Sequence, residues 1–320
     1  MYCILSVWCW CSSGHASTAG VRALRNGTLQ SRLRYWRRLI LVFLAVLLPA
    51  LLLIPVGLGF MTTHELTQGT CVVLAPPTIP HDEVTFPSGD LTLTAYFIPG
   101  DSDAAVIIAP PLNHDHGGQL DYAGLLNEAG LNVLVMGSRL CAGEPSSFGY
   151  TEGDDVTAAY AYLVGRGDIN PERVSAHGFS AAGAAALFGT ARTPQIKAVS
   201  AMGNYHDFEQ SIGVNRDGAP FVEQLYITGL VWGFRVGAGV PISALKPVDI
   251  IDEINPRPIL LVYGTLEPLI DGRILYEAAE NGTLWEVEGV GHGGYMQAYP
   301  DEAREIIAGF HVAALLEEDE

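Results

Sequence analysis

A covalent hydrolytic relay needs a serine or cysteine that is both exposed and activated, and one serine of this chain has the setting for it. Ser180 lies in Gly178-Phe179-Ser180-Ala181-Ala182-Gly183. Arg173 to Gly178 carries Val174 and Ala176 on alternate positions and reads as the end of a buried strand. Ala181 to Ala191 is rich in Ala, with Leu187 and Phe188, and reads as a tightly packed helix. A serine on so sharp a strand-to-helix turn is a nucleophile elbow. The turn strains the serine backbone, so the residues two before and two after must be small. Gly178 and Ala182 meet that need, and Gly183 lets the helix approach the strand. Serine is a weak nucleophile at neutral pH and needs a general base. A serine-capped, Ala-rich core helix would read the same without the chemistry, so the surrounding elements decide.

Those elements alternate between strand and helix. Asp82 to Phe86 and Leu91 to Ile98 form a hairpin pattern around Pro87-Ser88-Gly89-Asp90. Ala104 to Ala109 is a continuous apolar run, as a strand covered on both faces should be. Leu120 to Ala129 is helical, Leu131 to Met136 a strand and Asp154 to Val164 a helix. After the elbow come a strand at Ile196 to Met202 and one at Pro258 to Tyr263. A helix at Gly272 to Ala279, a strand at Thr283 to Val287 and a closing helix at Glu302 to Leu316 follow. This rhythm implies an α/β fold with a mostly parallel sheet and helices on both faces. Residues 204–256 interrupt it and carry Phe208, Phe221, Leu225, Trp232 and Phe234.

The elbow, the alternation and a histidine far downstream resemble the α/β-hydrolase superfamily of serine hydrolases, over roughly 230 residues from Asp82. The resemblance implies an eight-stranded sheet and a helical cap at residues 204–256. It places the base after the last strand, where His292 stands in Gly289-Val290-Gly291-His292-Gly293-Gly294. The triad acid would follow the strand after the cap, which points to Glu267, where the family pattern has Asp. Asp207 and Asp271 remain alternatives. The oxyanion hole would take one amide from Ala181 and one from the loop after the third strand. Pro110 and Pro111 have no N–H, so that donor is Leu112 or Asn113. Position 182 departs from the usual Gly, and Leu112-Asn113 at the donor position departs from the usual His-Gly pair.

Other histidines compete for chemistry. His177 precedes Gly178 on the elbow strand and points away from the exposed side of the nucleophile. His114 and His116 flank Asp115, but one His-x-His without matched ligands is a weak metal signal. Glu152, Asp154 and Asp155 open a helix, where acids suit the dipole. Arg139-Leu140-Cys141 follows the fourth strand and could border the pocket.

Charge divides the chain. Residues 1–64 hold six Arg and no acid; residues 65–320 hold all 35 acidic and 11 of the 17 basic residues, a net charge of −24. That surface excludes nucleic acid as a natural partner. Residues 1–38 read as a basic, unstructured or peripheral segment. Leu39 to Phe60 is 22 residues without a charge, enough to cross the roughly 30 Å hydrocarbon core at about 1.5 Å per residue. Four Arg precede it and Glu65 is the first charge after it, which puts the N-terminus in the cytoplasm and the domain outside. Residues 61–80 read as a linker and 81–320 as the catalytic domain. Five Cys lack zinc spacing, and whether Cys71 and Cys141 pair is open.

The expectation is a membrane-anchored serine hydrolase that cleaves a carboxylic ester, a lipid or acyl-chain ester among them, without a cofactor. A peptidase or amidase of the same fold is the alternative, as is a binding protein that kept the fold and lost activity.

Overall fold

The computed structural model describes residues 18–73, 75–110, 112, 119–214 and 218–317, with side chains from residue 31 onwards. Met1–Ile54 and Pro55–Glu320 form two compact units. A single helix, α1 (Thr18–Thr67), runs from the first into the second. Its Ser31–Thr67 portion is long and apolar enough to cross a membrane. The expectation of an unstructured or peripheral segment at residues 1–38 is corrected for residues 18–38, which are helical, while residues 1–17 lie outside the described residues. Ala, Leu, Gln and Arg, all good helix formers, fill this stretch and let the apolar helix extend through the basic run. The expected linker is shortened for the same reason, because α1 continues to Thr67.

In the second unit the strands are β1 (Asp82–Ser88), β2 (Leu91–Ile98), β3 (Ala105–Ile108), β4 (Asn132–Met136), β5 (Val174–Phe179), β6 (Val199–Met202), β7 (Ile259–Gly264) and β8 (Gly282–Val287). They form one sheet in the order β1-β2-β4-β3-β5-β6-β7-β8. β2 pairs antiparallel with β1 and β4, and every other pairing is parallel. Helices α2 (Leu120–Glu128), α3 (Glu152–Gly165) and α4 (Ala181–Arg192) connect the central strands. The interrupting stretch holds α5 (Phe208–Ser211), α6 (Phe221–Ala238) and α7 (Ile251–Ile254). α8 (Leu269–Ala278) joins β7 to β8, and α9 (Tyr295–Ala298), α10 (Pro300–Ala303) and α11 (Gly309–Leu316) close the chain.

The apolar run of β3 explains its place. Ala105 and Ile107 enter the core on one face, and Val106 and Ile108 the core on the other. A strand with both faces buried cannot alternate with polar residues. The chain leaves β3 for β4 on one side and returns through α3 to β5 on the other. The loops after β3 and β5 therefore diverge, opening a crevice at the carboxyl edge of the sheet. Ser180 follows β5 and Leu112 follows β3, so both lie at this crevice.

Cys71 and Cys141 form a disulfide with their Cα atoms 4.9 Å apart. It ties the segment after α1 to the turn after β4.

Candidate active site

Ser180 has φ 59° and ψ −126° between β5 and α4. A non-glycine residue held there is strained, which the surrounding contacts must impose. Gly178 makes the turn possible: a Cβ on it would stand 2.1 Å from the Ala182 carbonyl oxygen. Gln119 clamps the end of β5, accepting from the Phe179 amide at 3.2 Å and donating to the Ala109 carbonyl at 3.1 Å.

The structure brings Ser180, His292 and Glu267 into one line. The Ser180 hydroxyl donates to His292 Nε2 at 3.0 Å, and His292 Nδ1–H donates to Glu267 Oε2 at 2.7 Å. Glu267 is held by two further donors, the Gly264 amide at 2.6 Å and the Tyr295 hydroxyl. The Glu267 side chain is 4% exposed, that of His292 48%. Burial alone would raise the Glu267 pKa. Hydrogen bonds from His292, Tyr295 and Gly264 outweigh it and hold the carboxyl below its usual range. The acid is thus ionised, as an imidazolium partner requires. Phe179 packs on the His292 ring with centroids 4.6 Å apart.

The competing acids have other work. Asp207 caps α5, accepting from the Gln210 amide at 3.3 Å, and pairs with Lys246 Nζ at 2.9 Å. Asp271 is buried against His206, accepting from its amide at 3.0 Å and pairing with its Nδ1. His177 is fully buried and bonds Ser200 Oγ at 2.6 Å; burial pushes its pKa down to about 3, so it stays neutral. The helix-opening acids bind specific partners: Glu152 accepts from the Ser147 and Gly149 amides, Asp154 pairs with Arg192, and Asp155 with Arg139. Arg139 is thereby committed to α3.

Ala181 is the first residue of α4, so its amide has no carbonyl one turn back to bond. The carbonyl of Leu112 accepts from Ser138 Oγ at 3.0 Å, and its side chain packs on the cluster that contains Ala181. Asn113, His114, Asp115 and His116 lie outside the described residues. Among the described residues no group of His, Cys, Asp and Glu could hold a metal ion.

A buried apolar cluster packs around Ala181, the residue after the serine. Phe148, Phe208 and Phe234 meet with ring centroids 5.0 to 6.1 Å apart, in the same cluster as Ala181 and Leu112. The Tyr205 hydroxyl fixes it by donating to the Phe148 carbonyl at 2.7 Å. Phe234 comes from α6, so the interrupting stretch shares a buried cluster with Ala181, the residue after the serine. A cleft of about 160 Å³ also opens beside His292 and Glu267, lined by Tyr205, Phe208 and Pro268 among others. Sequence reading did not single out Tyr295 or Gln119. Tyr295 stands three residues past the base, within one helical turn, which is the signal it offered; Gln119 gave none.

No protein-family model and no curated protein matches the sequence. Solved structures do match the fold. An esterase of Pyrococcus furiosus, Pf2001, superposes with TM-score 0.62 at 19% identity, over 79% of this chain and 98% of that one. The α/β-hydrolase GrgF of Penicillium sp. sh18 superposes with TM-score 0.58 at 17% identity, over 75% of this chain and 100% of that one. An acylaminoacyl peptidase of Pyrococcus horikoshii superposes with TM-score 0.55 at 14% identity, over 76% of this chain and 43% of that one. The chain has the α/β-hydrolase fold, as its motifs led one to expect.

Proposed function

We propose that this chain is a serine hydrolase acting on a carboxylic ester, with Ser180 as nucleophile, His292 as general base and Glu267 as the acid that orients the base. The observation that carries this reading is the unbroken hydrogen-bonded line from Ser180 Oγ through His292 to a buried, ionised Glu267. Ser180 Oγ attacks the ester carbonyl carbon while its proton passes to His292 Nε2. The carbonyl oxygen takes up the negative charge and is held by the amides of Ala181 and Leu112. Collapse breaks the bond to the leaving alkoxide, which takes the proton from His292 and departs as an alcohol. Water, activated by the same imidazole, then releases the acid from acyl-Ser180.

Phe208, which lines the cleft beside His292 and is backed by Phe148 and Phe234, supports an acyl chain as the group that lies there. A fluorophosphonate probe should label the wild-type protein. In a panel of nitrophenyl esters and the matching anilides, esters should turn over faster. Absence of labelling overturns the reading; anilides equal to esters make the chain an amidase.

The domain is placed on the outer side of the membrane, with α1 as its anchor. The Arg run before Leu39 supports this orientation. So does the Cys71–Cys141 disulfide, because such bonds persist in oxidising compartments. A reporter that works only after export, fused to Glu320, is expected to be active, and one that works only in the cytoplasm silent. The reverse pattern refutes the orientation.

A further inference from the structure

Helix α6 is held between the nucleophile elbow and the final turns of α1. One side enters the aromatic cluster through Phe234, which is fully buried. A second side presents Gly229, Gly233 and Gly237, one per turn, to Val56, Phe60 and Thr67. A Cβ on Gly229 would stand 2.0 Å from the Val56 carbonyl oxygen, and one on Gly233 2.1 Å from that of Phe60. The contact is reciprocal, because a Cβ on Gly59 would stand 2.1 Å from the Tyr226 carbonyl oxygen. Thr63 Oγ1 donates to the Leu230 carbonyl at 2.6 Å, and Gln68 Nε2 to that of Gly237 at 3.0 Å. Backbones that approach this closely through small residues and hydroxyls are the packing of helices in lipid.

The third side is apolar and uncovered. Phe221, Trp232 and Val236 are 64%, 55% and 53% exposed. At about 100° per residue, they and Leu225 fall within a sector of roughly 60°, which excludes Glu223, Gln224 and Arg235. Leu58, Met61 and Leu66 on α1 are exposed as well. Of the twelve large hydrophobic side chains exposed among the described residues of Pro55–Glu320, seven lie on these two helices. So concentrated a patch marks an interaction surface. It is continuous with the apolar helix: the Trp232 ring packs 4.6 Å from that of Phe60, the last residue of the uncharged run. Tryptophan is the residue enriched where a membrane meets water.

We propose that α6 is seated in the outer face of the bilayer, beside the anchor, through Phe221, Trp232 and Val236. The inference rests on the reading of α1 as an anchor and of Ser180 as the nucleophile. It deepens that reading by naming the substrate class. Phe208, which lines the cleft beside His292, packs 5.7 Å from Phe234 on the reverse side of this membrane-seated helix, so the ester the cleft receives is one whose acyl chain is dissolved in the bilayer. The strongly acidic surface of the domain favours zwitterionic over anionic headgroups.

The test uses the full chain in phosphatidylcholine liposomes, compared with Trp232→Phe so that the difference in emission reports Trp232 alone. Lipids carrying a nitroxide near the headgroup should quench that emission, and aqueous iodide should quench it poorly. Quenching by iodide but not by the nitroxide lipids overturns the proposal. Shielding from both also overturns it, since a protein partner such as a second copy would then cover the face. These readouts need no turnover, so they stand apart from the fate of the hydrolase reading. In a second arm, the triple variant Phe221→Ser, Trp232→Ser, Val236→Ser should hydrolyse a long-chain ester dissolved in the liposomes roughly tenfold more slowly, with a soluble short-chain ester kept within about twofold. Equal loss on both esters overturns the substrate assignment. If the wild type hydrolyses neither ester, the hydrolase reading fails while the quenching result still judges the membrane seat.

Discussion

Ser180→Ala is expected to lower ester turnover by roughly 10⁴- to 10⁶-fold while leaving the fold in place. The magnitude follows from what the hydroxyl does. Without it no acyl-enzyme can form, and only water attack aided by the oxyanion donors remains. The fold should survive because the strained backbone at residue 180 is imposed by Gly178, Gln119 and the start of α4, none of which touches the hydroxyl. Alanine tolerates the positive φ no worse than serine. Turnover, fluorophosphonate labelling and thermal melting on the same preparation check this. Labelling that persists in the variant would move the nucleophile elsewhere, and turnover near wild type would remove the mechanism.

The second large effect is expected at the acid. Glu267→Gln should reduce turnover by roughly 10³- to 10⁴-fold, because a neutral amide cannot stabilise the imidazolium and favours the wrong imidazole tautomer. The carboxylate accepts from three donors, His292, Gly264 and Tyr295. An amide at this position must turn its NH₂ towards one of them, so some stability should go as well. The wild-type protein gives a matching pH signature. Its Glu267 pKa is lowered by folding, so the stabilisation is present above the unfolded-state pKa of about 4.3 and is lost as pH falls through the folded value. The Gln variant should lack that component of acid destabilisation. Asp207→Asn is the control. It loses the Lys246 ion pair and keeps the line through His292, so turnover should stay near wild type. Loss of activity in Asp207→Asn with retention in Glu267→Gln would transfer the acid to β6.

Much of the fold was legible because it is written in short-range patterns. β2 alternates at period two, β3 is apolar throughout, and Gly178 and Ala182 bracket Ser180. His292 could be found because the resemblance places the base in the loop after the last strand. The choice of Glu267 over Asp207 and Asp271 rested on the resemblance alone, since all three stand just past strands or at the start of helices. The bond of His292 to Glu267, with the pairing of Asp207 to Lys246 and of Asp271 to His206, separates them. The Cys71–Cys141 bond and the α1–α6 seam are contacts across more than sixty positions, and no local pattern encodes the partner. The seam did leave one trace, the four-residue spacing of Gly229, Gly233 and Gly237. Residues 204–256 were expected to be a cap; that α6 is packed on the C-terminal turns of α1 was not foreseen.

The disulfide also decides how the domain would carry load. Tension that passes the seam of α1 with α6 would otherwise enter the sheet through β1, an edge strand held by a single antiparallel hairpin and therefore the easiest to peel, one bond at a time. Cys71 lies before β1, and its sulfur is bonded to Cys141, just past β4 in the interior of the sheet. A pull along the chain beyond α1 therefore passes through a covalent link to a strand paired on both sides, and the β1–β2 hairpin is bypassed. The bond turns a peeling geometry into one where strands must slide past each other together, which resists far greater force. Reduction would return the weak point to β1, so under tension a reduced domain would fail at its edge first.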